Sequence, residues 1–457
     1  MQGLGFVGSV MSLVCANAVK GDYAVIGVDL PNKRGRKLIN DLNNGIFPLV
    51  TEDQKIGQFY NKTIKKGNFL ATYFEQAYSY ADVIIVDINL DVEKENHNSG
   101  ELTDYNVDLS SFKKAIASIG KNCKEDALIL IETTVPPGTC KEVVKPIIYD
   151  CLNKRGFSIN KIKIGHSYER VMPGPGYIDS IQNYYRVYSG IDAKSADAVE
   201  SFLHTIIHTD EYPLTRLEST NDTEMAKVLE NSYRAMNIAF MVEWSRFAEE
   251  AGVNLYDVVD AIRFRSTHAN LMYPGIGVGG YCLSKDALLA SWARQNLIGN
   301  NEPLAQSETA ISINDQMPRF AFEFLQKQYS DLTNTKILLL GVSYRGDVGD
   351  TRYSPVEKLY NYLNDLGCII SCHDPHIKYW EEQALDIEQD LMTHLNSTPD
   401  VIIISTGHKL YKSKKTIDTL LALHPIFIYD TIGLLSNNQI NMLISKHTVK
   451  VLGRGDL

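Results

Sequence analysis

The sequence predicts an α/β protein in which two parallel-sheet units flank a helical stretch. Three observations predict it. A glycine-rich turn opens an apolar helix at the N-terminus, short apolar runs recur towards both ends of the chain, and the middle changes to a helical period. At about 150 residues per domain, 457 residues suggest about three domains. The expected bounds are 1–212, 213–317 and 318–457. A composition 44% apolar and 22% charged is that of a globular chain rather than a disordered one. A net charge of −10 argues against a general nucleic-acid binder, which needs a basic face to displace counterions. No segment approaches the roughly 18 consecutive apolar residues of a membrane span, so no membrane partner is expected. Seven cysteines without a CxxC pair read as thiols of a reducing cytoplasm. Cys368 and Cys372 are the closest pair, and they lack the further convergent ligands that zinc wants, so no metal is expected.

From the N-terminus, Gly3-Leu4-Gly5-Phe6-Val7-Gly8 is a GxGxxG that runs on into a helix, and Tyr23 to Val28 reads as a strand ending at Asp29. The 21 residues from Gly8 to Asp29 match the roughly 20 that separate the glycines from the ribose-binding acid of a Rossmann unit. Gly3 would make the tight turn, Gly5 would let pyrophosphate approach the backbone, and Gly8 would let the helix pack on the strand. The helix N-terminus, at Phe6 and Val7, would face the phosphates with its unpaired amides. Asp29 would accept hydrogen bonds from the ribose and repel a 2′-phosphate, favouring NAD over NADP; the nearby cations Lys33, Arg34 and Arg36 temper that preference. A lone glycine run can equally be a flexible loop, and the helix, strand and acid supply the context that decides against it. The apolar strand that should precede Gly3 is missing, since only Met1 and Gln2 stand there. The expectation is a truncated or misassigned start.

Further strands are expected at Ala81 to Val86 and Ala127 to Ile131. The second closes in the loop Glu132 to Thr139, where Pro136 and Pro137 cannot supply ladder donors. Asp91 to Asp108 is polar and unperiodic and reads as a surface loop. Ser219 to Gly252 has a helical pattern that puts Lys227 and Asn231 on one face. Ser307 to Tyr329 follows as a second helix, with Pro318 a kink or break. Strands then return at Lys336 to Leu340, Cys368 to Cys372, Val401 to Ser405 and Ile426 to Tyr429. Arg345 and Arg352 stand where strand ends meet a ligand crevice in open α/β sheets, or else are solvated.

Pro274 to Asp286 carries the most chemistry. Four glycines in six residues, Gly275, Gly277, Gly279 and Gly280, let loop amides approach a ligand closely. Cys282 follows directly, with Lys285 and Asp286 beside it. It reads either as a nucleophile activated by a cation or a helix N-terminus, or as a small residue buried in a tight loop.

Taken with the N-terminal fingerprint and Asp347 to Pro355, this segment resembles the UDP-glucose/UDP-N-acetylmannosamine dehydrogenase family. The motifs occur in the family's order: GxGxxG, TTVPPG at 133–138, YERVMPG at 168–174, ExxKxxxN at 224–231, PGxGxGGxCxxKD at 274–286 and DxRxSP at 350–355. The resemblance implies two Rossmann-like domains with parallel sheets, joined by a central helical domain that makes a homodimer. It implies that the first binds NAD and the last grips UDP. The implied reaction is a four-electron oxidation of the C6 alcohol of a UDP-sugar to the carboxylate, reducing two NAD⁺. Cys282 matches the nucleophile that captures the aldehyde as a thiohemiacetal and passes through a thioester. Asp286 and Lys227 match the residues that order water and stabilise oxyanion charge, with Asn231 beside Lys227. Glu169 and Thr134 match positions that contact substrate and organise the water. On the cofactor side the resemblance adds Thr133, Thr134, Arg34 and Arg352. On the substrate side it adds Arg170, Tyr273, Gly277, Gly279, Tyr344 and Arg345, the last where the family often has a lysine.

Some segments depart from the family's pattern. Asp87-Ile88-Asn89-Leu90 replaces the usual VPTP loop, and the stretch Arg263 to Asn270 lacks the usual RIG. His268 falls near an expected inter-subunit arginine, a role open to Arg263 or Arg265. ERVMPG and TTVPPG look like the UDP-N-acetylhexosamine branch and CLSKD like the UDP-glucose branch, so the sugar leans towards N-acetylhexosamine. Two other readings compete. A two-electron β-hydroxyacid-type dehydrogenase leaves Cys282 without a role, and a catalytically impaired nucleotide-binding protein would explain the missing strand.

Overall fold

The computed structural model describes residues 1–48, 53–97, 99–168, 170–171 and 174–457. They form two compact units. Met1–Glu93, Asn106–Glu230 and Leu289–Pro303 make the first, and Lys94–Tyr105, Asn231–Leu288 and Leu304–Leu457 the second. The expected α/β class with two parallel sheets and a helical stretch is borne out.

In the first unit the parallel strands Phe69–Thr72 and Val25–Val28 pair with each other, as do Val83–Val86, Leu128–Ile131 and Lys163–His166. Gln2 joins the two sets, bridging Val28 on one side and Val86 on the other. Its amide donates to the Ile85 carbonyl at 2.8 Å, and its own carbonyl accepts from Asp87 at 2.9 Å. The resulting order is the 3-2-1-4-5-6 of a dinucleotide-binding sheet, with Met1 and Gln2 in the place of strand one. Val187–Gly190 then adds antiparallel to Lys163–His166. The helix Phe6–Ala16 buries Val10, Met11, Leu13 and Val14 in the core beneath this sheet.

The second unit holds five parallel strands in the order Ile369–His373, Lys336–Leu340, Val401–Ile404, Phe427–Asp430, Thr448–Val451. Along Lys336–Leu340, Ile337 and Leu339 enter one core and Leu338 and Leu340 another. Helices cover both faces, which is why this strand and Val401–Ile404 read as unbroken apolar runs instead of alternating ones. The helix Thr220–Ala251 belongs to the first unit up to Glu230 and to the second from Asn231.

Two expectations need correction. Asp91 to Asp108 is not a plain surface loop, because Glu93–Asn96 and Leu102–Asn106 form a two-stranded hairpin. Its fixings are polar: Leu102 N–H donates to Ser312, the Tyr105 hydroxyl to Glu308 and the Lys94 ammonium to Asp315. A ribbon held by polar groups shows no apolar period, so the pattern hid it. Of the kink or break expected at Pro318, the break does not occur, since the helix Ala305–Gln328 continues through it. Pro318 is buried in that helix, and the Asn314 carbonyl that it cannot reach as a donor lies against Gly277.

Candidate active site

In the first unit the three glycines of the turn have different reasons. Gly3 has φ +92°, and a Cβ there would stand 2.1 Å from the Asp87 carbonyl oxygen. A Cβ on Gly8 would stand 2.1 Å from the Gly3 carbonyl oxygen, so glycine lets the helix lie close to the end of the first-strand position. A Cβ on exposed Gly5 would meet nothing within 4 Å. Gly5 is also the N-cap of Phe6–Ala16, whose first turn has no side-chain cap and no acid. Bare helix amides facing open space suit a pyrophosphate. Asp29 ends the next strand half-buried; one oxygen accepts from Leu4 N–H at 2.8 Å and the other from Leu30 N–H at 2.7 Å. These residues fit a dinucleotide with free ribose hydroxyls. Arg34 is exposed on the first turn of Lys33–Asn43, capped by Asn32.

The loop after Leu128–Ile131 separates its two threonines. Buried Thr133 is committed to the neighbouring loop, accepting from Ile88 N–H at 3.0 Å and facing the Val86 and Ile88 carbonyls. Thr134 is only half-buried. Beyond the prolines, Glu224 accepts from Gly138 N–H at 2.6 Å and from Cys140 N–H at 2.8 Å. Lys227, one helical turn on, is 8% exposed, with its ammonium 5.4 Å from the centre of the Tyr168 ring. Arg170 pairs with Glu230 at 3.2 Å and faces the Tyr168 and Tyr184 rings. Buried His166 shares a hydrogen bond with Thr223. Burial first, then the Lys227 and Arg186 charges, push its imidazole down to about 3, and a hydrogen bond with Thr133 only partly opposes them. Glu169 lies outside the described residues.

In the second unit Cys282 is the one exposed cysteine of seven. Its carbonyl accepts from Asp286 N–H at 2.9 Å, so the turn runs straight into the helix Asp286–Asn296 and sets the thiol at its head, where helix amides favour an anion. Lys285 is turned inward. It is 1% exposed, donates to Asp286 at 3.0 Å and lies 4.3 Å from the centre of the Tyr281 ring. Asn231 holds the other Asp286 oxygen at 2.7 Å. Gly279 and Gly280 lie so close to Tyr344 that a Cβ on either would come within 2.8 Å of its side chain. Burial, then Asp350, push the Tyr344 phenol up to about 12. Asn314 reads the loop backbone at Val278, and Gly277 has φ +118°. Arg352 grips Asp350 through two nitrogens; burial works against its charge and Asp350 more than offsets it. Arg345 is exposed, whereas Tyr273 stacks on Tyr256 and donates to Asp260.

Sequence reasoning missed Lys94, which donates to the Ser284 carbonyl beside the cysteine turn and pairs with Asp315 at 2.6 Å. It lay in the segment read as a loop, with no signal to mark it. Glu224 was visible only as a letter in a motif; a glutamate three residues before Lys227 on an apolar helix face was the available signal. Asp347, His376 and His408 bring one ligand atom each within 4.8 Å of one another. His408 Nδ1 already accepts from the Asp347 amide, however, and the Asp347 carboxylate pairs with Lys409.

A dinucleotide turn on one sheet and a glycine–cysteine loop packed beneath a second define a class: an NAD-dependent oxidoreductase built on two nucleotide-binding folds. The family follows from comparison with known proteins. Residues 1–207, 221–316 and 338–437 match the NAD-binding, central and UDP-binding domains of the UDP-glucose/GDP-mannose dehydrogenase family, and the chain belongs to that family. It is 30% identical to the UDP-N-acetyl-D-mannosamine dehydrogenase of Methanococcus maripaludis, over 99% of this chain and 96% of that one. Among solved structures it is similar to the UDP-D-ManNAc dehydrogenase of Pyrococcus horikoshii, with a TM-score of 0.80 and 25% identity over 100% of this chain and 99% of that one. The NDP-N-acetyl-D-galactosaminuronic acid dehydrogenase of Methanosarcina mazei gives a TM-score of 0.77 and 25% identity, covering 100% and 95%.

Proposed function

We propose that this chain oxidises the C6 alcohol of a UDP-N-acetylhexosamine to the uronic acid, a four-electron reaction. The observation that carries the reading is the exposed Cys282 thiol at the head of Asp286–Asn296, beside an Asp286 fixed by Asn231 and Lys285. The names of the relatives favour the N-acetylhexosamine branch over UDP-glucose. Gly3 to Gly8 and Asp29 would hold NAD⁺, which would supply the hydride acceptor for each oxidation. The Cys282 sulfur adds to the C6 aldehyde and its carbonyl oxygen takes a proton, giving a thiohemiacetal. Loss of hydride and that proton leaves a thioester, and water hydrolyses it to the carboxylate and the free thiol. Asp286 orders that water, with Glu169 and Thr134 in the same service, while the Lys227 ammonium stabilises oxyanion charge. Asn231, Arg170, Tyr273, Gly277, Gly279, Tyr344 and Arg345 are assigned to the substrate, and Thr133, Arg34 and Arg352 to the cofactor side.

We assign the domains as 1–212, 213–317 and 318–457, the central one pairing two copies as a homodimer. Tyr233, Phe240, Trp244 and Phe247 recur at helical spacing, and all are exposed with Phe264, which supports that pairing. Among the described residues no helix is long and apolar enough to cross a membrane. A cytoplasmic location fits the buried free thiols.

The deciding experiment measures NADH formed per UDP-sugar consumed, with UDP-N-acetylmannosamine, UDP-N-acetylglucosamine, UDP-N-acetylgalactosamine and UDP-glucose tested separately. Two NADH on an N-acetylhexosamine is the expected result. One NADH supports the two-electron dehydrogenase. UDP binding without NADH supports an impaired nucleotide-binding protein.

A further inference from the structure

Glu224 is a fully buried carboxylate to which the reaction above gives no part. Both of its oxygens are used on one short segment, Oε2 taking the Gly138 amide at 2.6 Å and Oε1 the Cys140 amide at 2.8 Å. Gly138 has φ +100°, a left-handed turn conformation that favours glycine. Thr139 closes the same turn by donating its hydroxyl to the Pro136 carbonyl at 2.6 Å. At its other end the loop is held by Thr133, whose hydroxyl joins the Val86 and Ile88 backbone. The residues between, with half-buried Thr134 first among them, are therefore fixed at both ends.

The anchor also has a fixed origin. Glu224 and Lys227 are three apart on one helix and so share a face, one turn from each other. The preceding Thr223 is itself clamped, sharing hydrogen bonds with His166 at 2.8 Å and Ser189 at 2.7 Å. The helix turn that presents Lys227 is thus tied to the strands Lys163–His166 and Val187–Gly190 through Thr223, and to the Thr134 loop through Glu224.

We propose that Glu224 is a positioning residue for the oxidation: it fixes the Thr134 loop against the helix turn that carries Lys227, so that hydroxyl and ammonium are set relative to each other before substrate binds. A carboxylate suits the task because each of its two oxygens meets one backbone donor, whereas an amide or hydroxyl offers a single acceptor oxygen. Burial pushes the Glu224 carboxyl up to about 7 despite the opposing Cys140 and Gly138 hydrogen bonds, the mark of a group kept where water cannot replace its partners.

The inference rests on the proposed reaction, and the test separates the two. Glu224→Gln keeps the shape but turns an –NH₂ towards a backbone donor. Steady-state rates are measured on wild type and variant with the UDP-sugar that wild type oxidises, normalised to NAD-binding sites counted by equilibrium titration. The expected result is a kcat lowered ten- to hundredfold with KM for NAD⁺ and UDP-sugar within threefold of wild type. Unchanged kcat per site, or a rise in KM alone, overturns the positioning role. Should Glu224→Gln fold too poorly to titrate, Glu224→Asp, which keeps the charge but shortens the reach, must show the same split. A wild type that forms no NADH from any UDP-sugar overturns the reaction itself.

Discussion

At the end of the second strand of each sheet stands an aspartate that accepts amides from the loop after the first strand: Asp29 in one unit, Asp374 in the other. Asp29 takes Leu4 N–H, stays half-buried, and borders a turn whose Gly5 faces open space. Asp374 is fully buried and accepts from Val342 N–H and Ser343 N–H, both at 3.0 Å, with the Ser343 hydroxyl and His408 as well. The glycines differ in the same sense. A Cβ on Gly341 would stand 2.2 Å from the Thr406 side chain, and one on Gly346 the same 2.2 Å from the Gly407 carbonyl oxygen. The same fold position is left open for a dinucleotide in the first unit and filled by protein in the second. The difference teaches that the strand–turn–acid geometry is shared, while burial differs: the acid and glycine border open space in one unit and are covered by protein in the other.

Substitutions can break that comparison, and the largest effect is expected at Cys282. Cys282→Ser should lower turnover by at least about a thousandfold, roughly 4 kcal/mol of barrier, while NAD and UDP still bind. A serine variant that keeps most of its rate removes the thioester. Next come the glycines. Gly5→Ala should raise KM for NAD⁺ on the order of tenfold with less than about 1 kcal/mol of stability lost, because a Cβ there meets no protein atom within 4 Å. Gly346→Ala should do the reverse, costing about 1–3 kcal/mol of stability with KM for NAD⁺ unchanged. Equal effects at both positions would erase the distinction.

The two aspartates sharpen it. Asp374→Asn should cost about 1–3 kcal/mol by leaving buried donors poorly met, whereas Asp29→Asn should weaken NAD binding and barely move the denaturation midpoint. The smallest effect at neutral pH is the titration of Asp374. Burial alone would raise its carboxyl, but His408 and the backbone donors bring it from the ordinary 3.8 down to about 2. A depressed acid stabilises the fold above its unfolded value and loses that contribution as pH falls through the folded one. Wild type should therefore lose about 2 kcal/mol between pH 5 and pH 2 that Asp374→Asn does not lose, as read from urea midpoints across that window.

Much of this was legible in the residues. The turn at Gly3 to Gly8, the acid at Asp29 and the strand at Lys336–Leu340 announce themselves, because a tight turn needs glycine and a strand buried on two faces must be continuously apolar. Cys282 could not be assigned from its letters, since an inert thiol and a nucleophile are spelled alike. The structure adds that this thiol is the exposed one and stands just ahead of a helix. Lys285 shows the opposite failure: adjacent in sequence, it is turned inward onto Asp286.

By itself the sequence determined the α/β order, the place of the dinucleotide turn, the motif series and the family these motifs imply, because local backbone geometry and strand burial demand particular residue types at fixed spacings. Only the tertiary structure decided which acid stays half-buried at an open turn, which glycine faces open space, and which buried carboxylate holds the Thr134 loop. Those are contacts between segments as far apart in the chain as Gly138 and Glu224, and whether a hydrogen-bonding group is saturated depends on what folding brings against it.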